Sequence, residues 1–221
     1  MRYSREQSEF DRAIAFIDAT FALALTLLIT TLDIENRSKA FKSFSALYAA
    51  VGPQFLAFLI AFAVIAGYWF AHHRMVAGFV AIDNRTLVTN IFLIAAVVLL
   101  PFTTASVGDP GVADLPLPTV LMAVDVAAVS VLFTLVWVMA ARGELLDDRP
   151  SAGEWFQRVA NGLAPAVVFL TSVPIAYLAA PYIARLFWLL LLVVNPAIGV
   201  LAMRVRRPSN EQERIRRPET H

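Results

Sequence analysis

The stretch that decides the fold spans residues 12–34 and reads RAIAFIDATFALALTLLITTLDI. From residue 14 to residue 32 it is apolar, except for Asp18 and a few threonines. A helix rises about 1.5 Å per residue, so this length nearly crosses a bilayer core of roughly 30 Å. A carboxylate inside such a helix is costly and normally needs a protein partner or a wet cavity. We therefore predict that the helix lies inside a transmembrane bundle rather than alone in lipid.

One face of this helix carries a stripe of regularly spaced residues. Asp18 is predicted on roughly the opposite side, and it lies six residues from Arg12, whereas a pair within a helix needs a spacing of three or four. The stripe is either a packing face, whose threonines bond to their own backbone, or a face left free for another task. At 100° per residue its members are Arg12, Phe16, Ala19, Leu23, Thr26 and Thr30.

The composition of the chain is typical of a polytopic membrane protein. Of its 221 residues, 59% are hydrophobic and only 16% are charged, and the apolar residues are concentrated in long runs. The net charge of +1 gives no field that would favour nucleic acid. The absence of cysteine excludes disulfides and thiolate metal sites, and no motif indicates a cofactor. The first residues, MRYSREQSEFDR, do not resemble a cleaved signal peptide.

Six segments are predicted to cross the membrane, which gives an all-α transmembrane helix bundle. The link at residues 180–182 is so short that the fifth and sixth spans must form an antiparallel hairpin. No internal repeat is evident, so a symmetric pore would need several copies of the chain. We predict one transmembrane domain over residues 1–204 and a basic cytoplasmic tail over residues 205–221. The spans are roughly 12–32, 47–70, 87–107, 116–140, 159–179 and 183–204.

The distribution of basic residues predicts the orientation of the bundle. If both termini are cytoplasmic, only four of the 18 Lys and Arg residues lie on the outer side, and the other 14 lie inside. That imbalance is the one that the positive-inside rule describes. We therefore predict a multi-pass protein of the cell membrane with both termini in the cytoplasm. The four outer residues are Arg37, Lys39, Lys42 and Arg185.

This orientation places several polar residues at the depth of Asp18. A buried Asp18 could accept a hydrogen bond from a histidine, a tryptophan N–H or an asparagine at that level. Adjacent histidines point about 100° apart on a helix, so at most one of them faces inward. An ordinary interfacial belt is the alternative interpretation of the aromatic and histidine residues. The candidate partners of Asp18 are Trp69, His72, His73 and Asn90.

The first helix also carries a recognisable motif. Arg12, Phe16, Ile17 and Asp18, followed by FALALTLL at residues 21–28, form a pattern that resembles the R-x-x-x-F-S-D signature of the endolysosomal potassium channel family. The resemblance covers residues 12–107, and beyond them only length and hydropathy agree. Bacterial members of the family have one six-helix unit per chain and assemble as tetramers. The matching residues outside the first helix are Tyr68, Trp69, His72, His73 and Arg74, and Leu99 to Phe102.

The resemblance implies a central pore that the first helix lines in a homotetramer, with potassium as the permeant ion. The constriction rings of the family correspond to Leu23, Thr26 and Thr30, which are members of the stripe. Arg12, Phe16 and Asp18 correspond to the charged motif, which in the family braces the pore helix rather than touching ions. The chain departs from the family at Ile17, where a serine is expected, and at Thr30, where an aliphatic residue is expected.

A weakly selective cation channel is the function that these features predict. The chain has no TVGYG-like loop that could supply stacked carbonyl rings, so a hydrophobic constriction would gate by dewetting and sieve by dehydration cost. Asp33 and Glu35 at the outer mouth either enrich cations or form an ordinary solvated helix end. Lipid and potassium are the expected partners, together with further copies of the chain.

The alternative function is a proton-coupled secondary transporter or a proton pathway. It would use intramembrane carboxylates, and Asp125, in the middle of the fourth span, is the residue that the family signature does not explain. Asp125 either carries a functional proton or bonds to Asn161, Ser130 or a neighbouring subunit. An enzyme is disfavoured, because no serine, metal or phosphate motif accompanies His72 and His73.

The topology can be tested by cysteine labelling, because the chain has no cysteine of its own. With both termini cytoplasmic, Ser151 lies in the cytoplasmic link between the fourth and fifth spans. A cysteine at position 151 should therefore resist a membrane-impermeant maleimide in intact cells and react after the membrane is opened. Labelling from outside intact cells would contradict the orientation.

Overall fold

The computed structural model describes residues 2–34, 36–191 and 194, and within them the protein is almost entirely helical. Two three-residue strands, which the sequence did not predict, pair near the N-terminus. These are β1 (Arg2–Ser4) and β2 (Ala81–Asp83). The helices are α1 (Ser8–Leu27), continued by a 3-10 turn (Leu28–Thr31), α2 (Arg37–Ala40), α3 (Phe44–Ala77), α4 (Asn84–Gly108), α5 (Pro116–Arg142), α6 (Ala152–Leu178) and α7 (Pro181–Phe187), which a 3-10 turn (Trp188–Leu190) follows.

Five of these helical segments are long and apolar enough to cross a membrane, which confirms the predicted helix bundle. They are 8–31, 54–77, 84–108, 116–142 and 152–178. Of the predicted sixth span, 183–204, the structure describes only the beginning, in α7 and the turn that follows. Residues 192, 193 and 195–204 lie outside the described residues, as does the predicted tail at 205–221. The number of spans beyond five therefore stays a prediction.

Three of the long helices begin where a side chain caps the free backbone N–H groups of the first turn. Ser43 caps α3 and Asp83 caps α4, and their side-chain oxygens accept from backbone nitrogens three residues later at 3.1 Å and 2.8 Å. Burial raises the pKa of Asp83, but the hydrogen bonds from Thr86 and the charge of Arg85 outweigh it and leave that pKa below its ordinary value. Ser151 and Glu154 form a reciprocal capping box at the start of α6.

Helix α5 has the most extensive packing in the described bundle, against α4 and against α6. Pro101 on α4 and Pro165 and Pro174 on α6 lie inside helices. Helices α5 and α6 approach closely at Gly162, where a side chain would collide with Thr134 of α5. Among the described helices, α1 packs mainly against α4 and α3.

The predicted hairpin between the last two described helices is present. Helix α6 ends at Leu178 and α7 begins at Pro181, so two residues make the turn. Trp188 then packs back along α6, where its ring stacks on Phe169 at 4.5 Å and its Nε1 donates to Ser172 Oγ at 2.9 Å. In the last turn of α7, Arg185 donates from Nε to Thr119 Oγ1 at 3.1 Å and from its guanidinium to the carbonyl of Ala113.

One end of the bundle is closed by a clasp, defined here as residues 2–5, 78–83 and 144–147. β1 pairs antiparallel with β2, with Tyr3 opposite Ile82. Arg5 donates to the carbonyl oxygens of Ala77 at 2.7 Å and Phe79 at 3.2 Å, and Arg2 donates to that of Glu144 at 2.9 Å. The clasp brings the N-terminus and the α3–α4 and α5–α6 links to the same end, which is the arrangement that the predicted succession of spans requires.

The close crossing at Gly162 leads to a prediction about stability. Gly162→Ala places a methyl group inside the volume of Thr134, and overpacking of this kind costs about 1–3 kcal/mol. We expect a lower thermal unfolding midpoint of the purified protein in detergent, with part of the loss recovered when Thr134→Ala is added. Gly67→Ala is the matched control, because nothing lies within 4 Å of its added Cβ. Equal destabilisation by the two glycine variants would contradict the crossing.

Candidate functional site

The predicted stripe on α1 is exposed in the single chain. Leu23 is 61% exposed and Phe16 is 60% exposed, and Arg12, Thr26 and Thr30 are exposed too. The opposite face is the one that packs against the bundle, through Ile17, Phe21, Ala24 and Leu28. Exposure of the stripe argues against the packing-face interpretation within one subunit, because nothing in the described chain covers it.

The threonine hydroxyls of the stripe bond to their own helix. Thr26 Oγ1 lies 2.8 Å from the carbonyl oxygen of Leu23, and Thr30 Oγ1 lies 2.6 Å from that of Leu27. Each hydroxyl thereby donates its hydrogen to the backbone and keeps its oxygen lone pairs free to accept. These oxygens can therefore face a cation or a water molecule at no cost to the helix.

The stripe is less regular at its far end than ideal helical spacing predicts. The α-helix ends at Leu27, and residues 28–31 form a 3-10 turn with three residues per turn. Three steps of about 120° instead of 100° move Thr30 about 60° around the axis. Thr30 stays exposed, but it does not lie directly above Thr26 and Leu23.

The sequence analysis expected Asp18 on roughly the side opposite the stripe, and the residue lies beside the buried face of α1. It is half-buried, since Ile17 and not Asp18 faces the bundle. One of its oxygens accepts a hydrogen bond from Trp69 Nε1 at 3.1 Å. The candidate set therefore contains one direct partner of Asp18, and this bond ties α1 to α3.

A second polar pair lies deeper in the bundle. His72 and Asn90 are fully buried, and His72 Nε2 lies 2.8 Å from Asn90 Oδ1. The amide nitrogen of Asn90 donates to the carbonyl of Thr86 at 2.9 Å, so its oxygen faces the ring and His72 Nε2 carries the proton. The ring of Phe21 on α1 packs against His72 with centroids 5.8 Å apart. The pair joins α3 to α4 and gives the pore-helix candidate a fixed surface to pack on.

The structure leaves the other candidate residues outside these contacts. His73 is exposed and packs its ring on Trp69 at 5.7 Å, so one histidine of the pair faces inward, as helical geometry predicted. Arg12 and Phe16 point away from the bundle, and in the described chain they do not brace α1. Of Arg12, Phe16 and Asp18, only Asp18 forms a side-chain hydrogen bond to another helix in the part of the chain that the structure describes.

Asp125 is buried in α5, but its partner is not one that the sequence suggested. Thr103 Oγ1 of α4 donates to Asp125 Oδ2 at 3.0 Å. Ser130 instead pairs with the hydroxyl of Tyr68 at 2.6 Å, and Asn161 lies in the third turn of α6, on the wall of a cavity beside the clasp. Sequence reasoning missed Thr103 and Tyr68 because neither differs from an ordinary threonine or interfacial tyrosine until the helices are packed.

A cavity opens at the end of the bundle opposite the clasp. It has a volume of about 970 Å³ and lies between the end of α1, α2, α3 and the end of α4. Thr30, Asp33 and Asp109 contribute to its lining. Asp33 is therefore at the mouth of the predicted pore face, while Glu35 lies outside the described residues.

Comparison with known proteins identifies related sequences and folds. Residues 12–101 match the family model described as "Endosomal/lysosomal potassium channel TMEM175". A relative from Chamaesiphon minutus, named "Potassium channel Cha6605_3372", is 30% identical over 147 residues, which are 64% of this chain and 70% of that protein. The rat protein named "Endosomal/lysosomal proton channel TMEM175" is 38% identical over 72 residues, 29% of this chain and 14% of that protein.

A solved structure shows the same fold. The crystal structure of a lysosomal potassium-selective channel TMEM175 homologue from Chamaesiphon minutus superposes with a TM-score of 0.69. The alignment covers 89% of this chain and 99% of that chain, at 22% sequence identity. The helices α1 and α3 to α6 therefore have a counterpart of known arrangement.

The buried pair of His72 and Asn90 leads to a prediction about stability. Asn90→Ala leaves the Nε2–H of His72 without an acceptor in the bundle, which costs about 1–3 kcal/mol. We expect a lower thermal unfolding midpoint and less assembled protein on size-exclusion chromatography. His73→Ala is the control one residue away, since its ring is exposed. An unchanged midpoint for Asn90→Ala, or an equal loss for His73→Ala, would show that the pair does not stabilise the bundle.

Proposed function

The chain belongs to the TMEM175 family of potassium channels, and we propose that it forms a passive, weakly selective potassium pore lined by α1 in a homotetramer. The exposed stripe on α1 is the observation that carries this proposal. It presents Leu23, Thr26 and Thr30 on the side of the helix that no other element of the described chain covers. The same side is the one whose residues match the constriction positions of the family.

Several copies of the chain are needed because one helix cannot enclose a pore. In a tetramer with α1 nearest the axis, each residue of the stripe becomes a ring of four side chains. Arg12 and Phe16 lie at the clasp end of the same stripe and are exposed in the part of the chain that the structure describes. Contacts of these two residues with neighbouring copies would then supply the bracing that the family motif implies.

Discrimination between ions arises from the cost of dehydration in this proposal. A ring of four Leu23 side chains excludes water, so a permeating ion must shed part of its hydration shell. Potassium holds its shell less strongly than sodium and loses less. The Thr26 oxygens, whose hydrogens point to the helix backbone, offer lone pairs to the partly dehydrated ion next to this ring. Rings of side chains on a helix are less precise than a carbonyl filter, and the preference for potassium is accordingly weak.

The orientation of the proposed channel follows from its charges. The clasp end carries the N-terminus, Arg2, Arg5 and the α5–α6 link, and it faces the cytoplasm under the positive-inside rule. A sixth span beginning at α7 would return the chain to the same side. The channel is then a multi-pass protein of the cell membrane with both termini cytoplasmic.

A proton pathway is the second candidate, and the name of the rat relative is the observation that favours it. The polar groups of this chain do not form a continuous relay among the described residues. Asp18 bonds to Trp69, His72 to Asn90 and Asp125 to Thr103, and no hydrogen bond joins one pair to the next. Passive flow of potassium along the stripe is therefore the function we favour.

A flux assay in proteoliposomes tests the proposal. With potassium inside and sodium outside, we expect passive potassium efflux that needs no pH gradient and does not saturate at millimolar potassium. A reversal potential that follows the potassium gradient identifies the channel. One that follows the pH gradient alone, or flux that requires a coupled proton gradient, would support the second candidate instead.

The assignment of the pore face can be tested on two leucines of α1. Leu23→Ala should widen the narrowest ring, raise the conductance and reduce the permeability ratio of potassium to sodium. Leu25→Ala removes the same atoms from a side chain that packs against the core, so it should lower stability without changing permeation per assembled channel. If Leu25→Ala altered the permeability ratio as strongly as Leu23→Ala at equal expression, the pore face would be assigned wrongly.

A further inference from the structure

A cavity beside the clasp is not used by the proposed pore. It has a volume of about 540 Å³ and lies between the end of α3, the α5–α6 link and the start of α6, with Trp137 of α5 on its wall. Small-molecule sites in proteins occupy roughly 300–1,000 Å³, so the cavity has the size of a binding site. It lies at the end of three membrane-spanning segments, which is the level of the lipid headgroups.

Two arginines from different helices line this cavity without an ion-pair partner in the described chain. Arg74 comes from α3 and Arg158 from α6, and both are exposed. The guanidinium of Arg158 lies over the ring of Trp137 at 5.7 Å, and that of Arg74 lies 5.5 Å from the ring of Phe70. Stacking on a ring restrains a guanidinium while its N–H groups stay free, and these groups match the oxygens of a phosphate.

The other charged residues of the cavity limit which charges a ligand can carry. Arg149 pairs with Glu144, and Glu154 closes the capping box of α6, so both are engaged by the protein. Asp147 and Asp148 remain, and they stand in the α5–α6 link. Arg158 lies seven residues into α6 from its cap Ser151, about 10 Å deeper along the helix axis.

We propose that this cavity binds the headgroup of a phospholipid that carries a primary amine, of which phosphatidylethanolamine is the type. Its phosphate accepts hydrogen bonds from Arg74 and Arg158. Its ammonium group donates to Asp147 and Asp148 at the aqueous rim. The headgroup places one negative charge beside the two arginines and one positive charge beside the two carboxylates, whereas a purely anionic headgroup brings a negative charge and nothing that attracts the carboxylates.

One further observation supports a polar occupant. The side-chain oxygen of Asn161, at the inner end of the cavity, is buried and has no hydrogen-bond partner. A buried acceptor without a partner costs about 1–3 kcal/mol, so a donor on an ordered water or on the ligand is expected there. A groove filled only by acyl chains would leave this atom unsatisfied.

The test compares three lipids on the purified, delipidated protein in detergent. Phosphatidylethanolamine, phosphatidylglycerol and phosphatidylcholine with identical acyl chains are added at equal molar ratios, and the thermal unfolding midpoint is measured. We expect the largest increase with phosphatidylethanolamine, because choline has no N–H to donate and glycerol has no positive charge. Equal increases with all three lipids, or a larger one with phosphatidylglycerol, would overturn the proposal.

Variants then locate the effect. The double variant Arg74→Gln with Arg158→Gln should lose the extra increase due to phosphatidylethanolamine. Asp147→Asn with Asp148→Asn should make phosphatidylethanolamine and phosphatidylcholine indistinguishable. Arg142→Gln is the matched control, because Arg142 lies over Trp155 at 5.9 Å in the same kind of contact but does not line the cavity.

Two results would refute the location or the kind of ligand. Loss of the phosphatidylethanolamine response in Arg142→Gln, or its survival in the double arginine variant, would place the lipid elsewhere. Soluble glycerophosphoethanolamine that raises the midpoint as much as the lipid at the same concentration would show that the site takes a free phosphate compound. None of these measurements depends on ion flux, so a failed channel assay would leave their outcome unaffected.

Discussion

Helix α1 is apolar around most of its circumference, but the described part of the chain covers one side of it only. Ile17, Phe21, Ala24 and Leu28 are buried against α3 and α4, and the opposite side presents large apolar side chains to the outside. A helix that is apolar all round is stable either inside a large core or in a membrane. The exposed side of α1 combines threonine hydroxyls with leucine side chains. In the proposed homotetramer, this side would face the other subunits and line the pore.

The position of α1 is set by polar contacts near the clasp rather than by its apolar packing alone. Asp18 binds Trp69 on α3, and Phe21 one turn further packs on the ring of His72, which Asn90 fixes to α4. Nearer the clasp, Arg5 donates to the carbonyl oxygens of Ala77, the last residue of α3, and of Phe79. Arg5 immediately precedes the residues that lead into α1, so these bonds tie the start of α1 to the end of α3. Apolar contacts between helices permit sliding, whereas directed hydrogen bonds do not. The contacts at this end therefore fix the height of the stripe.

The sequence predicted the elements of the fold well because its apolar runs are long. Residues 12–32 and 116–140 were expected to be membrane spans; α1 and its 3-10 turn account for the first as far as Thr31, and α5 covers the second. The short strands escaped prediction, since β1 is three residues long and its stability derives from pairing with β2, which is far away in sequence. The fifth span was predicted from about residue 159, whereas α6 begins at Ala152. Its first turn is polar and capped by Ser151 and Glu154, so its hydropathy resembles that of a loop.

Prediction of the site succeeded where helical periodicity decides and failed where packing decides. Periodicity alone identified the stripe, although not whether it is covered, and indicated that at most one of His72 and His73 would face inward. It could not choose among Trp69, His72 and Asn90 as the partner of Asp18, because all three lie at a similar depth and only the rotation of α3 about its axis separates them. In the same way, only the packing of α5 against α4 decides that Asp125 bonds to a threonine on α4 instead of a residue on its own helix or on α6.

Asp125 takes part in one of two polar contacts that join the helices around α5. Asp125 and Thr103 join α4 to α5, and Tyr68 and Ser130 join α3 to α5, so these hydrogen bonds hold α3, α4 and α5 together. None of them reaches α1, whose hydroxyls bond to their own backbone. A helix whose polar groups are satisfied internally can face water, lipid or an ion without leaving a group unpaired elsewhere. In the proposed pore, α3, α4 and α5 can thus stay rigid while the free face of α1 meets the permeating ions.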